Sequence, residues 1–220
     1  MRRDSLQDLV VAAMFGSMLL LISPAVVKAQ QDEPIGFFVV DVRGSLPMYG
    51  QNGQLATSEG LLSVQLPSRG IGIELGSHFY PVRWRWLTLG VGVSLLTSAG
   101  NRVPSEKDPI ADGPTVKMTF TTASPQLSLN FGKREGWSYL SGGLGISQLT
   151  IATEPAQNSG TQWQSRTINY GGGARWFIKK HLAFNMDLRF YSIRPLAATN
   201  TNPAMPRMKL VAFNVGVSFR

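Results

Sequence analysis

From Lys209 to Arg220 the chain alternates without a break. Val211, Phe213, Val215, Val217 and Phe219 share one parity, and Ala212, Asn214, Gly216 and Ser218 share the other. Successive side chains of a strand point to opposite faces, so this stretch predicts a strand with one large apolar face and one small polar face. The same period recurs upstream and predicts strands at about 36–46, 69–79, 87–95, 117–131, 137–151, 163–178 and 181–194. Leu87, Leu89, Val91, Val93 and Leu95 alternate with Thr88, Gly90, Gly92 and Ser94. Leu182, Phe184, Met186, Leu188 and Phe190 alternate with residues that include Asn185, Asp187 and Arg189. Pro125 falls inside the fourth segment, where it predicts either a bulge or a strand that starts nearer Gln126.

The connections at 47–67, 98–115, 152–161 and 195–206 are long and polar, and those between them are short turns. Eight strands with alternating long and short connections place both termini at the short-turn end. They also make the first and last strands antiparallel neighbours, so the sheet can close. The parity opposite the large apolar residues carries Asp41, Arg43, Glu74, Asn130, Arg175, Asp187 and Arg189. That is a poor lining for a hydrophobic ligand, and it argues against a soluble lipocalin-like carrier, which needs the reverse pattern. It suits a barrel whose oily face is its exterior. The fold class expected is therefore all-β, an eight-stranded antiparallel up-and-down transmembrane β-barrel. Closure is required because an open edge in hydrocarbon leaves backbone N–H and C=O groups unpaired at several kcal/mol each.

Composition agrees. Charged residues make up 15% and hydrophobic residues 43%, with a mean hydropathy near zero. This is too polar for a helical membrane bundle and charge-poor for a soluble domain. No run after residue 29 reaches the length of a helical span. There is no cysteine, which excludes a disulfide framework, thiolate metal sites and cysteine nucleophiles. The formal net charge of +8 is scattered over turns and loops, unlike the single patch that binds nucleic acid, so no nucleic-acid partner is expected.

Residues 1–29 have a different character. Arg2 and Arg3 precede an apolar run from Leu9 to Ile22, and Val27-Lys28-Ala29 offers a small-residue end. These are the parts of a cleavable secretory signal peptide, with an uncleaved helical anchor as the alternative. Removing Arg2, Arg3, Lys28, Asp4 and Asp8 takes away one net positive charge, leaving +7 on a barrel domain of residues 30–220. Export into a lipid-facing barrel implies the cell outer membrane of a didermal, Gram-negative-type bacterium. Trp84, Trp86, Trp137 and Trp176 at the short-turn end, Trp163 at the loop end, and Phe79, Tyr80 and Phe177 predict an interfacial aromatic girdle.

The chain resembles the eight-stranded outer-membrane β-barrel family of the OmpA/OmpX kind over residues 30–220, as architecture rather than in detailed sequence. Its most specific piece is the terminal alternation ending Val215, Val217, Phe219. The resemblance implies outer-membrane lipids as surroundings and recognition of the last strand by the barrel-assembly machinery. The family usually ends on the aromatic, whereas here Arg220 follows. The family often carries a peptidoglycan-binding domain after the barrel, and none is expected after this last strand.

Six ionisable side chains are assigned to the lumen: Asp41, Arg43, Glu74, Arg175, Asp187 and Arg189. Three of each sign predict a structural ion-pair network that fills a barrel just wide enough for side chains, a plug rather than a pore. The rival is a lipid-modifying enzyme using a Ser/His/acid set. Its histidines would have to be His78 and His181, both at the short-turn end. Ser77 and His78 are strand neighbours on opposite faces, and no Gly-x-Ser-x-Gly elbow is present. No catalytic residues, cofactor or metal are expected; Glu59, Glu106, Asp108, Asp112 and Glu154 are too dispersed for a calcium loop. The basic turns at Arg83, Arg85, Lys133, Arg134, Lys179 and Lys180 would face the periplasmic leaflet. The reading is a monomeric outer-membrane barrel with a structural, adhesion or binding role and an unidentified partner for its surface loops.

Overall fold

The structure, a computed structural model, describes residues 35–84, 86–104, 113–154 and 160–220. The signal peptide at 1–29, Arg85, and the loop acids Glu106, Asp108 and Asp112 lie outside the described residues. Eight strands form one closed antiparallel ring in chain order. They are β1 (Phe38–Tyr49), β2 (Ile71–Arg83), β3 (Thr88–Arg102), β4 (Thr115–Lys133), β5 (Gly136–Glu154), β6 (Thr161–Lys179), β7 (Leu182–Ile193) and β8 (Met208–Phe219). The seam pairs β1 with β8 from Val40↔Phe219 to Tyr49↔Leu210, so the terminal alternation is the strand that completes the ladder.

The large apolar parity faces out. Val91 and Val93 are exposed, and Asp187 and Arg189 are buried. On β6 the outward residues from Ile168 to Ile178 are Ile168, Tyr170, Gly172, Ala174, Trp176 and Ile178. At ~3.3 Å per residue this run is roughly 33 Å long, or about 25 Å along the axis at ~40° of tilt, the height of the lipid-facing band of such barrels.

Pro125 sits on this lipid-facing side without a bulge. It pairs with Val93 on β3. Toward β5 the register is the same on both sides of it, Ala123↔Ile146 and Gln126↔Gly143, while Ser124 and Pro125 lack partners there. The ladder thus opens locally where the N–H is missing. Irregularities occur instead between Phe79 and Val82 and between Phe177 and Lys179, both beside short turns.

Two sequence expectations are corrected. The strands of one side run further than the alternation of apolar residues suggested: β4, β5 and β6 have 19 residues each, against 12 in β1, β7 and β8. Above the apolar belt their polarity inverts. On β4, Thr115, Lys117, Thr119 and Thr121 point out while Val116, Met118 and Phe120 are buried inside. The girdle is also smaller than expected. Trp84, Trp86, Trp176 and Phe79 are exposed, but Trp137, Trp163 and Tyr80 are buried in the barrel. The parity of their strands requires this, because Trp137 and Trp163 are in step with the lumenal residues Ser141 and Thr167.

The first long connection is not featureless. It carries a short helix, α1 (Gly53–Ser58), and a 3-10 turn at Ser63–Gln65. Asn52 caps α1 by accepting from the backbone N–H groups of Gln54 and Leu55, at 3.0 and 3.1 Å, which satisfies donors a helix start leaves orphaned. Leu55 and Ala56 are thereby turned into the mouth of the barrel, where both are fully buried.

Candidate functional site

The interior is layered. Near the short-turn end lies a largely aromatic floor, Tyr80, Trp137 and Tyr139 with the aliphatic Ile35 and Val39, and Phe177 packs against it. Trp137 stacks on Phe177 at 5.1 Å and meets Tyr80 edge-on at 6.1 Å. At the loop end an apolar core joins Leu96, Val116, Met118, Phe120, Leu149, Ile151, Trp163 and Ile193 to Leu55, Ala56 and Leu66 of the first loop and Met205 of the last. The indole of Trp163 donates to the Pro203 carbonyl at 2.9 Å, tying the fourth loop down.

Between these layers the six ionisable residues singled out from the sequence come together, all buried. Arg175 grips Asp41 with two nitrogens, Nε to Oδ1 at 3.0 Å and Nη2 to Oδ2 at 2.6 Å. Arg43 spans two acids, 2.7 Å from Asp41 Oδ2 and 2.8 Å from Glu74 Oε2. Arg189 donates to both oxygens of Asp187, Nε at 3.2 Å and Nη2 at 2.9 Å. These two residues are two apart on β7, so they point the same way. Its Nε also lies 3.9 Å from Glu74 Oε1, which joins the second half of the network to the first.

Neutral groups fill the remaining valences. Asp41 accepts from Ser218 at 2.5 Å and Asn185 at 3.3 Å. Asp187 accepts from Tyr139 at 2.8 Å and Asn214 at 3.0 Å, and Glu74 from Ser94 at 2.9 Å. Arg189 reaches Gln126 at 2.6 Å, Asn169 at 3.1 Å and Ser141 at 2.9 Å. The Arg175 guanidinium lies 4.2 Å over the Tyr139 ring. Bidentate geometry and saturation of this kind are what a buried charge needs to offset its desolvation.

Glycine makes room for this packing. A Cβ on Gly216 would lie 2.1 Å from the Val42 carbonyl oxygen and 2.6 Å from Arg43 Cα, so the β1–β8 seam beside Arg43 closes only around glycine.

The two histidines are not brought together. His78 is buried in the lumen, stacked on Tyr80 at 6.5 Å. His181 is exposed at a short turn, with Nδ1 2.9 Å from the Arg220 carbonyl oxygen. Among the described residues no set of three His, Asp or Glu side chains is placed to hold a metal ion. Sequence reading missed the apolar upper core. Its signal was present in the odd apolar residues on the lumenal parity near the loops, such as Met118, Phe120, Leu149 and Ile151.

No family model and no curated protein matches the sequence. Solved structures do match. Neisserial surface protein A (NspA) is 12% identical, with 83% of this chain and 96% of that one covered and a TM-score of 0.52. This chain has the NspA fold and carries a lipid-height apolar belt on its outside. It is an outer-membrane β-barrel. The outer-membrane barrel is similar also to Ail, the attachment invasion locus protein of Yersinia pestis, at 13% identity, 84% and 98% coverage and a TM-score of 0.48. OprG from Pseudomonas aeruginosa matches at 12% identity, 86% and 97% coverage and a TM-score of 0.48. At such identity the likenesses speak for the fold alone. The long connections gather at one end of the barrel and the short turns at the other.

Proposed function

We propose that this outer-membrane barrel is a closed, non-conducting platform that binds a partner at the cell surface, in an adhesion or structural role. The observation that carries the proposal is the layered interior. An aromatic floor, a saturated ion-pair layer and an apolar core under α1 lie in series along the axis. A hydrated path would have to break at least one ion pair and displace α1. The binding surface is the wall raised above the bilayer by β3–β6 together with the loops. Its outward residues include Thr97, Thr121, Gln148, Gln162 and Gln164, all exposed. These five are uncharged hydrogen-bonding side chains, suited to a protein or glycan surface, on a wall that also carries the cations Lys117 and Arg166.

The proposal assigns the barrel no catalytic role. Ser77 points outward and His78 inward, so the pair lacks the shared face that nucleophile and base require. It also keeps β8 as the segment read by the barrel-assembly machinery, and a monomer as the working unit. Recordings on the full chain in planar bilayers test it. The expected result is a silent bilayer with brief, irregular events at most. A large, steady conductance overturns it.

A further inference from the structure

Outward residues just above the apolar belt differ sharply around the ring. On β3, β4 and β5 the belt ends in Leu95, Ala123 and Ile146, and the next outward residues are Thr97, Thr121 and Gln148. Toward β6 and β8 the residues at that level are basic. Ile168 is followed by Arg166 and Val211 by Lys209. On β7, Phe190 is followed by Ser192 and then Arg194, and on β2 Ile71 is followed by Arg69.

Register sets Arg194 beside Arg166, with Lys209 one outward position nearer the belt than Arg194. The Arg194 N–H donates to the Arg166 carbonyl at 2.9 Å, and Ser192 pairs with Lys209. Arg207 lies just beyond Lys209. All four basic side chains are exposed. Below the Arg166–Arg194 pair come Ile168 and Ser192, and then Tyr170, stacked on Phe190 at 5.4 Å as a flat aromatic step in the upper belt.

No acid opposes the cluster on its own elements. β6 and β8 contain no Asp or Glu, the single acid of β7 is the lumenal Asp187, and the fourth loop from Arg194 to Arg207 has none. Among the described residues these four cations make no side-chain ion pair. Cations in the first two outward positions above a hydrocarbon belt, Arg166 and Lys209 in the first and Arg194 and Arg207 in the second, stand near the depth of lipid headgroup phosphates. With no counterion among the described residues, the array is open to a counterion from outside the chain.

We propose that Arg166, Arg194, Arg207 and Lys209 form a headgroup site for a phosphorylated lipid of the outer leaflet, with Tyr170 and Phe190 packing against its acyl chains. The site lies on the exterior, so it stands whether or not the lumen conducts. Phosphate monoesters fit better than a phosphodiester, because two negative charges can be shared between guanidinium groups on adjacent strands.

The test uses the full chain reconstituted in phosphatidylcholine nanodiscs doped with lipid A carrying both its phosphates, with retained lipid read by native mass spectrometry. Each cation near an anionic surface contributes roughly a fivefold preference, so R166Q/R194Q/K209Q should lower retention about a hundredfold. K179Q/K180Q at the opposite rim should retain lipid as wild type does. Raising the salt on the wild-type chain, which needs no variant to fold, should release the lipid as well. Heat-modifiable gel mobility confirms that both variants are folded. The proposal is overturned if the triple variant retains the lipid as wild type does, or if K179Q/K180Q loses as much. Equal retention of dephosphorylated lipid A or phosphatidylglycerol by the wild type overturns it too.

Discussion

Asp41→Asn tests whether the ion-pair layer is dry. The change keeps the shape of the side chain, and an amide oxygen still accepts from Ser218. What it removes is the charge held by Arg175 through two contacts at 2.6 and 3.0 Å and by Arg43 at 2.7 Å. Arg43 retains Glu74 at 2.8 Å, so the cost falls on Arg175, whose carboxylate partner among the described residues is Asp41. Leaving one guanidinium buried without its partner costs about 3–5 kcal/mol, whereas a solvated pair is worth ~0–1 kcal/mol. The two ranges do not overlap, so one measurement decides between a dry plug and a wet channel. Guanidinium unfolding of the barrel in detergent micelles, followed by tryptophan fluorescence, reads it. Trp137 is a local reporter, its ring 5.8 Å from the Arg175 guanidinium. The expected loss is at least 3 kcal/mol, and the double variant Asp41→Asn/Arg175→Met should regain most of it, because the orphaned charge has gone. A loss below about 1 kcal/mol, or a double variant no better than the single, refutes the reasoning.

Other outcomes follow from the same structure. Gly216→Val should block close approach at the β1–β8 seam and cost about 1–3 kcal/mol or more, seen as lost heat-modifiable gel mobility; unchanged mobility counts against the seam geometry. Leu55→Ala, at a fully buried position under the mouth, should destabilise docking of the first loop by about 2–5 kcal/mol. Limited proteolysis should then cut that loop, while planar-bilayer conductance stays silent because the ion-pair layer below is intact. Burial raises the Glu59 carboxyl above its ordinary value, partly opposed by a hydrogen bond donated from Thr161 at 2.8 Å. A raised folded value means that the docked loop binds the proton more tightly. Docking, read by amide exchange across α1, should therefore strengthen as pH falls from neutral through that raised value into the ordinary carboxylate range. Glu59→Gln should abolish this pH dependence. His78→Ala with His181→Ala should leave any lipid-deacylating activity of purified barrel preparations at its background level, and a loss on that double substitution would revive the catalytic reading.

What could be read from the chain, and what could not, comes down to where water meets each strand. The inward residues were legible because a charged or small side chain every second position has one sensible destination when its alternate neighbours are Val, Leu and Phe. Asp187 and Arg189 on β7 needed nothing more than parity. The upper core was not legible by the same rule, because the rule assumes lipid along the whole strand. Once β4 rises past Ala123 its outer face meets water, so the outward residues become Thr121, Thr119 and Lys117 and the buried ones Phe120, Met118 and Val116. One strand therefore carries both patterns, lipid-facing below and that of a water-soluble barrel above, with parity unchanged across the switch. The tryptophans went wrong for a related reason. Residue type suggested an interface for Trp137 and Trp163, but the lumenal parity of their own strands outranked it, since a strand cannot turn one side chain around without a bulge. The switch point is a physical ruler. Where outward Leu and Ile give way to Thr and Gln on β3–β5, and to Arg and Lys on β6 and β8, hydrocarbon ends. The same ruler sets the height of the proposed phosphate site on the β6–β8 side of the barrel.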